Sequence, residues 1–229
     1  MTRGASSCEP CDPSQLQARL SRDGYAFLPR YAASNTTRKV AERLGDLLVP
    51  WEGAHVQELT PRAKSTPNTY SGIFGLNEFP FHTDLAHWAE PPRYLLLRCI
   101  RGYSDTPTLM LDGRKLASRI GENVLRRALV RPRRPLAGKV QILRLQQHSP
   151  TGEIIRWDEV FLKPASRVGE LAFSQFRSLM AQSVATPVFM RNDGDFLIID
   201  NWRMFHARPA IAPHRQERRL QRAYLRGLT

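Results

Sequence analysis

FHTDLAHWAEPPRYLLLRCIRGYSDTPTLMLDG, residues 81–113, carries two patterns at once. It opens on a polar triplet, His82-Thr83-Asp84, and then runs through two apolar stretches, YLLLRCI and TLML, with turn residues between them. Short apolar runs bounded by Gly, Pro, Ser and Asp read as buried strands. The same texture continues downstream in KVQILRLQQHSPTGEIIRW (139–157), DGDFLIIDN (193–201) and ERRLQRAYLRG (217–227). Ser149-Pro150-Thr151-Gly152 sits between two alternating runs and predicts a hairpin. Asn192-Asp193-Gly194-Asp195 predicts a tight turn before a strand.

Helical signals lie mostly upstream. SQLQARLSRDG reads as a helix, YAFLP as a short strand, and SNTTRKVAERLGDLL as a second helix with Ser34 or Asn35 as N-cap. In that second helix Val40, Leu44 and Leu47 recur at helical spacing. A further helix is expected at LAFSQFRSLMAQSV, residues 171–184. Many short strands with two or three helices give a mainly β fold with flanking helices, a sandwich or jelly roll.

Composition narrows the class. The chain has 229 residues, 41% hydrophobic and 24% charged, which suits one domain with a real core over 1–229 and a flexible tail over 1–12. No apolar run approaches the roughly 18 residues of a membrane helix. The opening residues lack the apolar core of a secretory signal, so the expected compartment is the cytoplasm. Cys8 and Cys11 form a lone C-x-x-C without the second ligand pair of a zinc site, and Cys99 falls in a core-like run. The net charge of +13 would attract polynucleotide, an acidic carrier protein or a small anion. Its clusters are RRALVRPRR (126–134), read as solvated surface, and HRQERRLQR (214–222).

His82 and Asp84 are two apart, so an extended backbone points both side chains to one face. Far downstream His206 follows the strand-like FLIIDN. Two histidines and one carboxylate on one face of a metal form the facial triad of non-haem iron(II), which leaves positions open for oxygen and cosubstrate. His55, His87, His148 and His214 lack this spacing.

The wider context resembles a known family. FHTDLAHWAEPPRYLLL with SDTPTLMLDG, and IIDNWRMFHARPAI with ERRLQRAYL, resemble the metal-binding segments of the taurine dioxygenase and clavaminate synthase-like oxygenases. The resemblance covers about Asn68–Gly113 and Asn192–Arg226. It implies a double-stranded β-helix with iron(II) on His82, Asp84 and His206, and with 2-oxoglutarate and oxygen as cosubstrates. It implies that Arg218 and Thr106 hold the distal carboxylate of 2-oxoglutarate, and that Arg222 meets an anionic group of the substrate. A guanidinium suits a carboxylate because it offers two parallel donors. Where relatives carry Gly-Gly before Asp-Thr, this chain has Tyr103-Ser104. Family halogenases lack the carboxylate, so Asp84 favours hydroxylation.

Strand periodicity sets Arg218, Leu220, Arg222 and Tyr224 on one face, with the two arginines about 13 Å apart at roughly 3.3 Å per residue. Asn68, Tyr70, Ser71, Phe79 and Trp88 flank the triplet and are candidate substrate walls. The expected substrate is a small anionic or zwitterionic molecule such as an amino acid, free or carrier-bound. Two other readings stand beside it. One is a nucleic-acid-binding or nucleic-acid-modifying protein, predicting salt-sensitive binding. The other is a non-catalytic jelly roll with structural zinc, which would want a fourth ligand.

Overall fold

The structure is a computed structural model and describes residues 12–50, 55–135 and 138–229. Cys8, Cys11 and nearly all of the expected tail lie outside these. The chain begins with α1 (Pro13–Asp23), β1 (Tyr25–Leu28), α2 (Thr37–Leu44), β2 (Gly45–Leu48), β3 (Gln57–Leu59) and α3 (Tyr70–Phe74). Next come β4 (Phe79–His82), β5 (Tyr94–Arg101), β6 (Thr108–Asp112), α4 (Gly113–Ile120), α5 (Glu122–Arg127) and β7 (Leu129–Pro132). Then follow β8 (Leu143–Arg144), β9 (Gln146–Ser149), β10 (Gly152–Ile155), β11 (Leu162–Pro164) and α6 (Arg167–Ala181). The chain ends with β12 (Thr186–Val188), β13 (Phe196–Asp200), β14 (Met204–Arg208) and β15 (Arg219–Leu228).

Two antiparallel sheets make the jelly roll. The larger runs β1-β13-β5-β15-β2, with β3 also on β15, and the smaller runs β12-β6-β14-β4. Alternation along the strands builds three layers of core. Leu95, Leu97 and Cys99 of β5, Leu197 and Ile199 of β13, and Met110 and Met204 of the smaller sheet pack between the sheets. Tyr94, Leu96, Phe196, Ile198 and Ala223 point outward beneath α1 and α2, against Leu16, Leu20 and Val40. Leu111 and Phe205 leave the other sheet toward α4–α6, where Trp157, Phe173 and Phe176 gather. Strands covered on both faces need apolar residues at every position, which is why YLLL and FLII run unbroken.

The helix expected through Leu48 stops at Leu44. Gly45–Leu48 is instead strand β2, paired with β15, so a sheet edge outweighed local helix propensity. The cap of α2 is Thr36, whose hydroxyl accepts from the Lys39 amide, not Ser34 or Asn35. Helices α4 and α5 were not expected; α4 starts from a cap by Asp112. The hairpin pairs β9 with β10 across Pro150-Thr151. In the 192–195 turn, Gly194 has φ +82°, and the Asp195 carboxylate accepts the amides of Arg30, Arg191 and Asn192. The 126–134 cluster is two-sided: Leu125, Ala128 and Val130 are buried while Arg127, Arg131, Arg133 and Arg134 face solvent. Among the described residues no helix is long and apolar enough to cross a membrane.

Candidate metal centre

Strand pairing brings residues 82 and 206 together. His82 on β4 and His206 on β14 are direct partners in the antiparallel register, and their ring centroids stand 4.4 Å apart. Asp84 lies just beyond β4. Its Oδ1 sits 3.3 Å from His82 Nε2 and 3.5 Å from His206 Nε2. All three ligand atoms fall within 4.8 Å of one another and all three residues are buried. Adjacent ligands on one metal stand about 3 Å apart for bonds of about 2.1 Å, so the cluster has the dimensions of a metal face.

The donor chemistry fits as well. His82 Nδ1 contacts the Pro80 carbonyl at 2.9 Å, so that nitrogen carries the proton and Nε2 offers a lone pair inward. Burial works against a charged His82, but Asp84 more than offsets it and the pKa is raised. His206 is held down by burial and by His82. Burial also works against the Asp84 charge; Arg222 and the histidines overcome it and hold the carboxylate well below its usual range. Among the described residues no fourth His, Cys, Asp or Glu joins the cluster, which removes the closed shell of structural zinc.

The triplet and the Asp-Asn segment lock to each other through the backbone. Asn201 Oδ1 accepts the Asp84 amide at 2.7 Å, while its Nδ2 donates to the Asp84 and Pro92 carbonyls, each at 2.9 Å. The middle residue, Thr83, turns away and bonds the backbone of Trp157. Arg156, fully buried, donates to the carbonyls of Ala86, Trp88 and Ala89 and fixes the loop after Asp84. Asp84's Oδ2 accepts from Arg222 Nη1 at 3.0 Å and Tyr224 Oη at 2.7 Å.

A cavity of about 1350 Å³ opens over the three ligands. Asn68, Tyr70, Ser71, Phe79 and Trp88 all line it, together with Arg218 and Arg222. Tyr70 stacks on the His82 ring at 4.2 Å, and Asn68 accepts from Arg134 at 2.5 Å. Arg218 is buried, and among the described residues its guanidinium makes no hydrogen bond or ion pair; its Nε is orphaned. Burial pushes its pKa down to about 10. A buried cation without a partner calls for an anion.

One expected placement differs. Thr106 is not on the cavity wall. It lies in the loop before β6, bonded to Asp105, which Arg215 holds in turn. Thr108, two residues later, begins β6 and lines the cavity. Alternation from the inward Met110 would have selected it. Arg222 does reach the cavity, but its nitrogens are engaged by Asp84 and by Gln57.

Sequence reasoning also passed over Arg208 and Asp158, both on the cavity wall. Arg208 is two residues from His206 on the same strand, a signal available from spacing alone. It lies 3.6 Å over the Phe79 ring, and burial with Arg218 nearby lowers its pKa to about 10. Asp158 is buried; one of its oxygens accepts the amides of Val160 and Phe161, and burial raises its pKa.

Residues 165–224 match the family described as Taurine catabolism dioxygenase TauD, TfdA family. Among solved structures, an asparagine oxygenase in complex with Fe(II), 2S,3S-3-hydroxyasparagine and succinate superposes with a TM-score of 0.67 at 19% identity, covering 93% of this chain and 78% of that one. PvcB from Pseudomonas aeruginosa gives 0.68 at 21%, covering 94% and 80%. The fold is that of the TauD-like oxygenases. A third structure, the non-haem iron oxygenase OrfP with Fe and alpha-ketoglutaric acid, gives 0.64 at 16%, covering 93% and 79%. No curated protein matches the sequence. Within the TauD-like fold, the triad here stands on the paired strands β4 and β14 and the loop just beyond β4.

Proposed function

We propose that this chain is an Fe(II)/2-oxoglutarate-dependent oxygenase that hydroxylates a small anionic or zwitterionic substrate, such as an amino acid, free or carrier-bound. The observation that carries the reading is the pairing, in one cavity, of an open three-ligand face with a buried Arg218 that has no side-chain partner among the described residues. A metal and a carboxylate-bearing cosubstrate satisfy both at once.

His82, Asp84 and His206 would hold the iron, which with 2-oxoglutarate supplies oxygen activation and C–H oxidation. The residues of this chain bind and orient. Arg218 pairs with the distal carboxylate of 2-oxoglutarate, where a fork of donors in a buried site is strongest. Thr108 takes the hydroxyl role expected of Thr106. Tyr70, Phe79 and Trp88 give the cavity apolar walls that exclude water. Asp158 offers a carboxylate to the ammonium of a zwitterion. The complexes of asparagine oxygenase with hydroxyasparagine and of OrfP with (3S)-hydroxy-L-Arg support an amino-acid substrate. Nothing in the cavity favours nucleic acid.

Anaerobic addition of Fe(II) and 2-oxoglutarate tests the reading. A visible metal-to-ligand charge-transfer band is expected. Its absence in folded protein sinks the proposal. A panel of amino acids, read by stimulated succinate release, then identifies the substrate.

A further inference from the structure

Arg222 shares a strand face with Arg218, and its position suggested an anchor for the substrate's anion. The geometry points elsewhere. We infer that Arg222, Gln57 and Tyr224 form a positioning group that presents Asp84 to the metal through Oδ1 alone. This rests on the metal reading above.

Three observations carry it. First, both donors converge on one oxygen. Arg222 Nη1 and Tyr224 Oη reach Oδ2 at 3.0 and 2.7 Å, while Oδ1 is the oxygen near both histidines. Second, Gln57 fixes the guanidinium. Its Oε1 accepts from Nε at 3.1 Å and Nη2 at 2.7 Å, which turns Nη1 toward Asp84. Third, the group stands on paired strands. Gln57 and Arg222 are direct partners in the β3/β15 register, and Tyr224 follows two residues along with its ring 5.2 Å from the guanidinium carbon. Sites built on strands hold geometry better than sites on loops.

The consequence is chemical. A carboxylate with both oxygens free can bind a metal through one or both. A facial triad must keep its remaining positions open. Tying Oδ2 to two donors leaves Asp84 one oxygen to give. The carboxylate also spans the fold: Oδ1 faces histidines of the smaller sheet and Oδ2 faces donors of the larger one. Arg222 is thereby tied to the metal ligand.

Tyr224→Phe and Gln57→Leu replace neutral groups with neutral groups, so the charge around the metal is unchanged. The metal-free full-length protein is titrated with Co(II), without 2-oxoglutarate or amino acid. Each variant is expected to bind Co(II) about ten-fold more weakly or worse, since losing an outer partner of a ligand typically costs 10–100-fold. The metal-free melting temperature serves as the fold control. Wild-type Co(II) affinity in both variants overturns the inference. So does an effect confined to the KM of the amino-acid substrate. Should Gln57→Leu fail to fold, Tyr224→Phe decides alone. Wild-type protein that binds no Co(II) sinks the metal reading, and this inference with it.

Discussion

Arg218 and Arg222 are the same residue type, four apart and facing the same cavity, the first just before β15 and the second within it. Their surroundings differ in kind. Arg218 is buried with Arg208 nearby, among the described residues no carboxylate meets it, and burial lowers its pKa to about 10. Arg222 is half-buried, and Tyr224 and Asp84 offset the cost of that burial and raise its pKa. A cation whose charge is already balanced has little left to offer a ligand; an unbalanced one has much. The two ends of this strand face show that position on a sheet assigns direction, while partners assign the role.

The largest effect expected from breaking this contrast is at the metal itself. His206→Ala should weaken Co(II) or Fe(II) binding by more than about 100-fold, beyond the range seen for outer partners, as read by calorimetry. It should leave Arg222 on Asp84 undisturbed.

Arg218→Met comes next. Truncating one partner of a buried charge pair costs about 2–5 kcal/mol, which is about 30-fold to several thousand-fold in affinity. The dissociation constant for 2-oxoglutarate, titrated on the metal-loaded protein without oxygen, should rise by that factor. Arg218→Lys should restore little, because an ammonium lacks the planar fork. Arg222→Met should change 2-oxoglutarate binding by less than about five-fold. Equal losses at the two arginines would erase the distinction.

A sharper consequence concerns stability. An unpaired buried cation is destabilising until its anion arrives. The cosubstrate-free protein carrying Arg218→Met should therefore melt no lower than wild type, and 2-oxoglutarate should raise the melting temperature of wild type alone. A clear drop in the variant's melting temperature would show that Arg218 has a structural partner after all.

The smallest effect separates two threonines. Thr108→Val should weaken 2-oxoglutarate by several-fold, on the order of the 1 kcal/mol of one hydrogen bond. Thr106→Val, away from the cavity wall, should leave it within about two-fold. The same titration reads both.

Much of this site was legible before the fold. His82 and Asp84 follow from two-residue spacing, and the inward face of Arg218, Leu220, Arg222 and Tyr224 from strand alternation. The apolar runs of β5 and β13 read as short strands between turns. What stayed hidden was cross-chain pairing. Nothing local tells that Gln57 lies opposite Arg222, or that Asn201 clasps the Asp84 backbone 117 residues away. Thr106 was chosen by motif order, and the loop before β6 moved the wall position to Thr108. Gly45–Leu48 read as helix because its strand partner, β15, is at the other end of the chain.

The sequence by itself determined which residue types could bind a metal and an anion, and which way each faces along its own strand. Backbone periodicity is a local property, set by φ and ψ. Only the tertiary structure decided that His82 opposes His206, that Asp84 spans two sheets, and that among the described residues Arg218 is left without a partner while Arg222 is not. Those are facts of register and burial, and both depend on contacts between segments that the chain order keeps far apart.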